Sequence, residues 1–473
     1  MKLTLEQQTI VDCVCSPTPN PLTLVDSVAG SGKTSLLVAI AKTLPHTNGL
    51  YLAYNKSIAT ESQRKFPKTT HCMTTHSMAY RATVKSFGLK LGTISHRTIT
   101  ERIKYETKWD IINSMRSFCL SRYLSFSDYA EENRLPLLHI KIANKYLANM
   151  QSGAIECTHD FYLKLFHIVL ANKQVTYGNF DFIMLDEAGD LNEVTLEIFK
   201  LLPSQRKIAV GDKHQNIYQF NDTINCFNVL EGQGTLLHMT KSFRVESSIA
   251  KRIQTFCRSC LAPTMKFEGI PITDKTITTR AYLTRTNSAL IAKMIQLNRE
   301  QVPFSLLRRA ADIFKIPLML CNLTYQGFIT DPNYKHLQND VDDWHESDTI
   351  KLKHKSPLSY LASLHDDDYQ LIQAVRLLQR HRKSLIIDTY EDARKHEKSR
   401  HNYTLATAHS CKGNEFDEVT ISDDLNESIA DIISDIKIGL PIDDIIPKDL
   451  ESLNLYYVAI TRTSKELFNA QYL

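Results

Sequence analysis

The sequence has no apolar run long enough to cross a bilayer and no apolar signal-type core near its start. An intracellular, soluble protein with no membrane partner is expected. Charge of one sign is not in excess either: 56 Lys and Arg stand against 52 Asp and Glu. That sets aside a histone-like or tail-driven nucleic-acid binder and leaves room for a local basic groove. Internal repeats and low-complexity tracts are absent. Close cysteine pairs occur at Cys13/Cys15 and Cys257/Cys260, but only the latter has CxxC spacing and neither has a second ligand pair beside it. The cysteines therefore read as reduced, mostly buried thiols, with a metal site at Cys257/Cys260 as the alternative. At 473 residues the chain is too long for one simple core, and about two to four domains are expected.

What is present is organised around Val28-Ala29-Gly30-Ser31-Gly32-Lys33-Thr34. Leu22–Val25 ahead of it reads as a short buried strand, and Ser35–Ala41 behind it as the start of a helix. Strand, glycine turn and helix are the context a phosphate-binding loop requires, with backbone N–H groups surrounding an anion. Lys33 would reach the β- and γ-phosphates of ATP, and the Thr34 hydroxyl would hold Mg²⁺. Ser27 stands where the pattern usually has its first glycine.

Further strand–helix units follow: Leu50–Tyr54 before Asn55-Lys56, and Cys72–Ala79 with Thr75, His76 and Ser77. They describe a parallel α/β sheet whose strand ends collect ligands. These polar residues are placed for phosphate or base contacts; ordinary helix capping is the equal alternative. The strand Phe180–Leu185 ends in Asp186-Glu187, the expected second half of a triphosphatase site. Asp186 would hold Mg²⁺ and Glu187 would polarise the attacking water. Lys207–Asp212 is one more strand, followed by Gln215 and Phe220. A second set of units begins at Leu236–Met239.

Two stretches differ in character. Residues 81–170 are helical in pattern and carry 13 Lys and Arg against 8 Asp and Glu, with aromatics spread through them. Single-stranded nucleic acid suits that mixture, and a bundle whose aromatics are all core suits it equally. Residues 300–395 carry clusters of mixed charge and no motif residues.

The segments AGSGKT (29–34), AYNKSIA (53–59), TTHSMAY (74–80), LDEAGDLN (185–192) and VGDKHQNIYQF (210–220) resemble the motifs of superfamily 1 helicases of the UvrD/Rep type. HMTKSFR (238–244), LTRTN (283–287), TAHSCKGNEFDEV (407–419) and LYYVAITRT (455–463) continue the resemblance in the same order. The text is like that of the helicase portion of F-box DNA helicases, although no F-box precedes Gln7.

The resemblance implies an α/β fold of two RecA-like P-loop domains, each interrupted by a mainly helical subdomain. The implied division is 1–80 and 171–235 for domain 1A, with 81–170 as its insert 1B. Residues 236–300 and 396–473 would form domain 2A, with 301–395 as a reduced 2B-like insert. It implies ATP-driven 3′→5′ movement on single-stranded DNA, unwinding of tailed duplex DNA, a monomer on DNA, and replication or recombination proteins as partners. Residue by residue, it puts Gln7 and Phe243 on the adenine. Ala29, Gly30, Ser31, Gly32, Lys33, Thr34, Ser35 and Asp186 fall on the phosphates and Mg²⁺, with Glu187 as catalytic base. Gln215, Arg244 and Arg462 fall on the γ-phosphate, and Glu415 faces the nucleotide. Asn55, Lys56, Thr75, His76, Phe220, Asn287 and His409 match DNA-contacting positions.

Gly189 replaces the family's usual Gln, and Asn221-Asp222-Thr223 replace its Arg-Gly-Ala. Both departures lie between the ATP site and the DNA groove. They motivate an alternative, a translocase that displaces proteins with little unwinding. A catalytically weakened ATP-dependent binding module and an RNA track are further alternatives.

Overall fold

The computed structural model describes residues 3–175, 177–217, 223–323, 327, 329, 334–365, 368–397 and 399–473. In chain order its strands are β1 (Leu22–Ser27), β2 (Gly49–Leu52), β3 (Thr70–Met73), β4 (Phe180–Leu185) and β5 (Leu191–Asn192). Next come β6 (Ser204–Gly211), β7 (Thr223–Ile224), β8 (Thr235–Met239), β9 (Lys241–Glu246) and β10 (Glu268–Ile270). The last are β11 (Arg280–Thr284), β12 (Ser305–Leu306), β13 (Tyr403–Thr407), β14 (Phe416–Ile421) and β15 (Thr463–Phe468). The chain divides into two units, Met1–Phe243 and Arg244–Leu473.

The first unit is built on a parallel sheet of order β3-β2-β4-β6-β1-β8. Successive side chains of a strand point to opposite faces, and a parallel sheet is buried on both. Leu24, Leu50, Leu52, Ile183, Leu185 and Ala209 accordingly enter one core. Their neighbours Val25, Tyr51, Phe182, Met184, Ile208 and Val210 enter the other. The helices Leu5–Val14, Lys33–Thr43 and Lys56–Ser62 cover the second face through Ile10, Leu36, Ile40 and Ala59.

The first face is covered by helices lying between β3 and β4: Tyr105–Leu120, Phe126–Glu132, Leu137–Gln151 and His159–Ala171. Their Met115, Phe118, Tyr146, Phe161 and Phe166 belong to one continuous core with Leu50 and Ile183. Phe118, Phe126 and Tyr146 are buried there, and Tyr123 and Tyr129 pack half-buried against it. For these five the core reading of the aromatics is the one realised. Tyr105 and Trp109 instead gather around His96, with ring centroids 4.8 and 6.1 Å from it.

The sequence places the start of the second set of units at Leu236. In the structure β8 pairs in parallel with β1 and completes the first sheet, and the first unit runs on to Phe243. Its register is local and invisible in the sequence: β8 is an edge strand whose half-buried alternation carries no label of which sheet it joins.

The second unit holds a parallel sheet of order β12-β13-β11-β14-β15. Between β12 and β13 runs a series of helices from Ala310–Ile313 to Lys383–His396, with a small core of their own at Leu320, Leu337, Val341, Leu361 and Leu371. The helix Pro447–Ile460 is fully buried from Leu455 to Ile460. Apolar residues around its whole circumference fit that central place. Among the described residues no helix is long and apolar enough to cross a membrane.

Candidate functional site

The loop after β1 turns on two residues in the left-handed backbone region, Gly30 (φ 74°) and Gly32 (φ 80°), where any side chain would be strained. Ser27 lies within β1 and donates its hydroxyl to the Gly211 carbonyl at 2.7 Å. The position where the pattern lacks a glycine therefore has no need of one. Val28 N–H donates to the Met239 carbonyl at 3.0 Å and Phe243 N–H to the Gly30 carbonyl at 2.9 Å, so the segment after β8 braces the loop. Gly32 opens the helix Lys33–Thr43, with Thr34 and Ser35 in its first turn, whose N–H groups lack intrahelical partners. The Ser31 hydroxyl is buried with no hydrogen-bond partner among the described residues.

Gln7 is buried in the first turn of the helix Leu5–Val14. Its Oε1 accepts from Thr4 N–H at 3.1 Å and its Nε2 donates to the Ser31 carbonyl at 3.2 Å. A Cβ on Gly32 would stand 3.2 Å from Gln7 Nε2 and 3.7 Å from the Phe243 ring. Gln7, the loop and Phe243 are thus neighbours, and the Phe243 ring is 45 % exposed and open to stacking.

Lys33 Nζ lies 3.3 Å from Glu187 Oε2. Burial works against its charge, but Glu187, Asp212 and Asp186 together hold its pKa above the ordinary value. Asp186 is buried, and desolvation together with the Glu187 charge raises its pKa, against the pull of Lys33 and a hydrogen bond from Tyr51. Tyr51 Oη donates to Asp186 Oδ2 at 2.6 Å. Glu187 itself has φ 55°, a conformation that costs a non-glycine residue about 1–3 kcal/mol and that clusters at functional sites. Gln215 Nε2 donates to Asp212 Oδ2 at 2.9 Å, which ties it to the same carboxylate group.

The sequence reading missed Tyr51 and Asp212. A tyrosine inside a buried strand must find a partner for its hydroxyl, and that signal was there to be used at Tyr51. Asp212 directly follows β6, the strand between β1 and β4, and position alone marked it.

The residues present fit Mg²⁺-ATP. The glycine turn, the partnerless Ser31 hydroxyl and Lys33 suit a polyphosphate. Among the described residues no three His, Cys, Asp or Glu are grouped to hold a metal. Mg²⁺ would need only one or two protein oxygens, the rest being phosphates and water. Cys257 and Cys260 are both buried in the helix Ser247–Cys260, where Cys260 Sγ donates to the Phe256 carbonyl.

Beside Asp186 opens a cleft of about 540 Å³ that Tyr54, Thr75, His76, Arg116, Asp160 and Asn192 help to line. Thr75 and His76 thus line the same cleft as Asp186. Burial lowers the His76 pKa, against the nearby Asp160, and favours the neutral ring. Asn55 caps the helix Lys56–Ser62 by accepting from Ile58 N–H at 2.9 Å, so capping is realised there, and both Asn55 and Lys56 are exposed. Phe220, Asn221 and Asp222 lie outside the described residues.

In the second unit Arg244 Nε pairs with Glu415 Oε2 at 2.9 Å, and its Nη1 donates to the Thr461 carbonyl at 3.3 Å. The next residue, Arg462, is buried and donates from Nε to the Val458 carbonyl at 3.0 Å. Arg244, Glu415 and Arg462 therefore share one corner. Asn287 and His409 follow β11 and β13 at adjacent strand ends. The Asn287 side-chain oxygen is buried with no partner among the described residues. Burial, with Arg285 and Arg308 nearby, pushes His409 down to about 4.

Two parallel sheets, with a glycine-turn loop, lysine and strand-end carboxylates on the first, have the arrangement of two RecA-like P-loop domains. A family model described as an AAA domain matches residues 11–221. Along its whole length the chain is similar to F-box DNA helicases. It is 26% identical to F-box DNA helicase protein 1 of Schizosaccharomyces pombe, over 98% of this chain and 57% of that protein. It is 24% identical to F-box DNA helicase 1 of Gallus gallus, over 100% of this chain and 49% of that one. The chain thus spans about half the length of these curated relatives. The resemblance read from the motifs to UvrD/Rep-type helicases holds.

Proposed function

We propose that this chain hydrolyses Mg²⁺-ATP to move along single-stranded DNA in the 3′→5′ direction and to unwind tailed duplexes. The observation that carries the proposal is Lys33 set against Glu187 and Asp186 beside a glycine-turn loop. The names of both relatives point the same way. Mg²⁺ would supply positive charge that offsets the charge of the phosphates. Thr34 and Asp186 hold it, Lys33 neutralises phosphate charge, and Glu187 takes a proton from the attacking water. Gln7 and Phe243 bind adenine. The roles of Gln215, Arg244 and Arg462 toward the γ-phosphate, and of Glu415 toward the nucleotide, rest on the motif text. So do those of Asn55, Lys56, Thr75, His76, Phe220, Asn287 and His409 toward DNA, and the four-part division into 1A, 1B, 2A and 2B.

The test is ATP turnover with and without single-stranded DNA, beside unwinding of 3′-tailed, 5′-tailed and blunt duplexes. DNA-stimulated turnover with unwinding from the 3′ tail alone is expected. Stimulated turnover that displaces streptavidin from DNA without unwinding would establish the translocase instead. Turnover indifferent to DNA would overturn both.

A further inference from the structure

The cleft beside Asp186 is lined in part by the strand ends, at Leu52, Tyr54 and Leu185, and in part by Arg116, Leu120 and Asp160 of the 81–170 stretch. Arg116 belongs to the helix Tyr105–Leu120, and Asp160 to the first turn of the helix His159–Ala171. Among the residues that line the cleft, Arg116 is the one Lys or Arg; the acidic ones are Asp160, Asp186 and Asp190, of which the last two are buried. His76 adds no positive charge near neutral pH, since burial lowers its pKa. A polyanion entering here has a single fixed cation to meet, and a carboxylate already holds it. Arg116 Nε lies 3.7 Å from Asp160 Oδ2, with the two side chains 59 % and 33 % exposed. An ion pair so open to water is weak. Contact through Nε leaves the terminal nitrogens of the guanidinium fork, which match paired phosphate oxygens. Among the described residues those nitrogens make no hydrogen bond.

We propose that Arg116 binds a backbone phosphate of a DNA strand in this cleft, and that Asp160 occupies Arg116 while the cleft is empty, so that loading exchanges one anion for the other. The proposal rests on the single-stranded DNA reading above and adds to it a residue that no motif names. The exchange costs little. The pair it breaks is weak, and Asp160 stays at the positive end of a helix dipole, where a carboxylate is favoured without a cation beside it. The turn that carries Asp160 is also held to the cleft. Its neighbour His159 has Nδ1 3.2 Å from the Tyr162 hydroxyl, and the Tyr162 ring meets His76 edge-on with centroids 6.0 Å apart. Arg116 is therefore the partner that moves. A phosphate contact of this kind positions a strand without reading its sequence.

The test reads binding rather than turnover. A fluorescein-labelled oligothymidylate is titrated with the full chain by anisotropy over a series of salt concentrations. Arg116→Gln should weaken binding about tenfold at low salt, the lower end for a hydrogen bond to a charged group. The slope of log K against log salt should become shallower by about 0.7, the share of one single-strand phosphate. A packing defect would change the affinity and leave that slope alone. Arg116→Lys keeps the charge without the fork and should restore the slope and part of the affinity. Asp160→Asn should tighten binding about twofold to fivefold, the scale of an exposed ion pair. Added to Arg116→Gln, the same substitution should bring no comparable gain, because no guanidinium is left to release. Circular dichroism and the thermal midpoint confirm that the variants are folded.

Wild-type affinity and slope in Arg116→Gln overturn the phosphate contact and leave the DNA reading intact. Unchanged or weaker binding by Asp160→Asn overturns the exchange, and so does an equal gain with and without Arg116. A wild type that fails to bind the oligonucleotide overturns the DNA reading, and the contact with it.

Discussion

At the scale of single residues, the site is a set of charges that hold one another in place. Lys33 stays charged in a buried position because Glu187, Asp212 and Asp186 outweigh its desolvation. Lys33→Ala removes the positive charge set among these carboxylates, which would stabilise the phosphates, and should abolish turnover. Glu187→Gln keeps the shape of the side chain at φ 55° and should bind ATP while hydrolysis falls at least about a hundredfold, the lower end for a general base. Equilibrium nucleotide binding beside single-turnover hydrolysis separates the two variants. Gly189 is a different kind of position. Read from the motif alone it is a missing glutamine; in the fold a Cβ there would lie 2.2 Å from the Asp212 carbonyl oxygen. The backbone passes too close for any side chain. Gly189→Gln should therefore lower stability by about 1–3 kcal/mol, as overpacking does, and urea unfolding reads it directly. A variant as stable as the wild type would show that the loop after β4 can yield.

Elements join these residues, and here sequence legibility has a clear limit. The loop, its strand and its helix are contiguous in the chain, so their text announces them. The Tyr51–Asp186 bond spans 135 residues and depends on β2 lying beside β4. No local pattern encodes that. The same holds for β8, whose place beside β1 is set by pairing. The helices between β3 and β4 offer another long-range tie. Lys164, wholly buried, donates to the Ser121 and Tyr123 carbonyls at 2.5 and 2.9 Å and fastens the turn after Tyr105–Leu120. Burial lowers its pKa from 10.5 to about 8. Between those values the unfolded chain holds a proton that the folded chain has released, so stability rises with pH across the window. Lys164→Met leaves two carbonyls without a donor and should cost about 1–3 kcal/mol near neutral pH. Its deficit relative to the wild type should widen from about pH 7 to about pH 9.5. Urea unfolding at both values is the measurement, and a narrowing deficit would mean Lys164 is not held below its ordinary pKa.

For the whole molecule, the two sheets were legible as repeated strand–helix units, and the similarity to F-box DNA helicases runs along the full chain. The nature of the helical stretch at 81–170 was not legible, because basic and aromatic residues serve a nucleic-acid face and a packed core equally well. Packing decides for Phe118, Phe126 and Tyr146, which are buried in a core shared with Leu50 and Ile183. That sharing reaches further than burial. A segment that owned its core could pivot on the two chain crossings that join it to the sheet. This one has no seam to pivot on. When β2 and β4 tilt, the helices beside them must travel as a blade travels with its handle, and a small rotation at the nucleotide end becomes a longer sweep at the far tip.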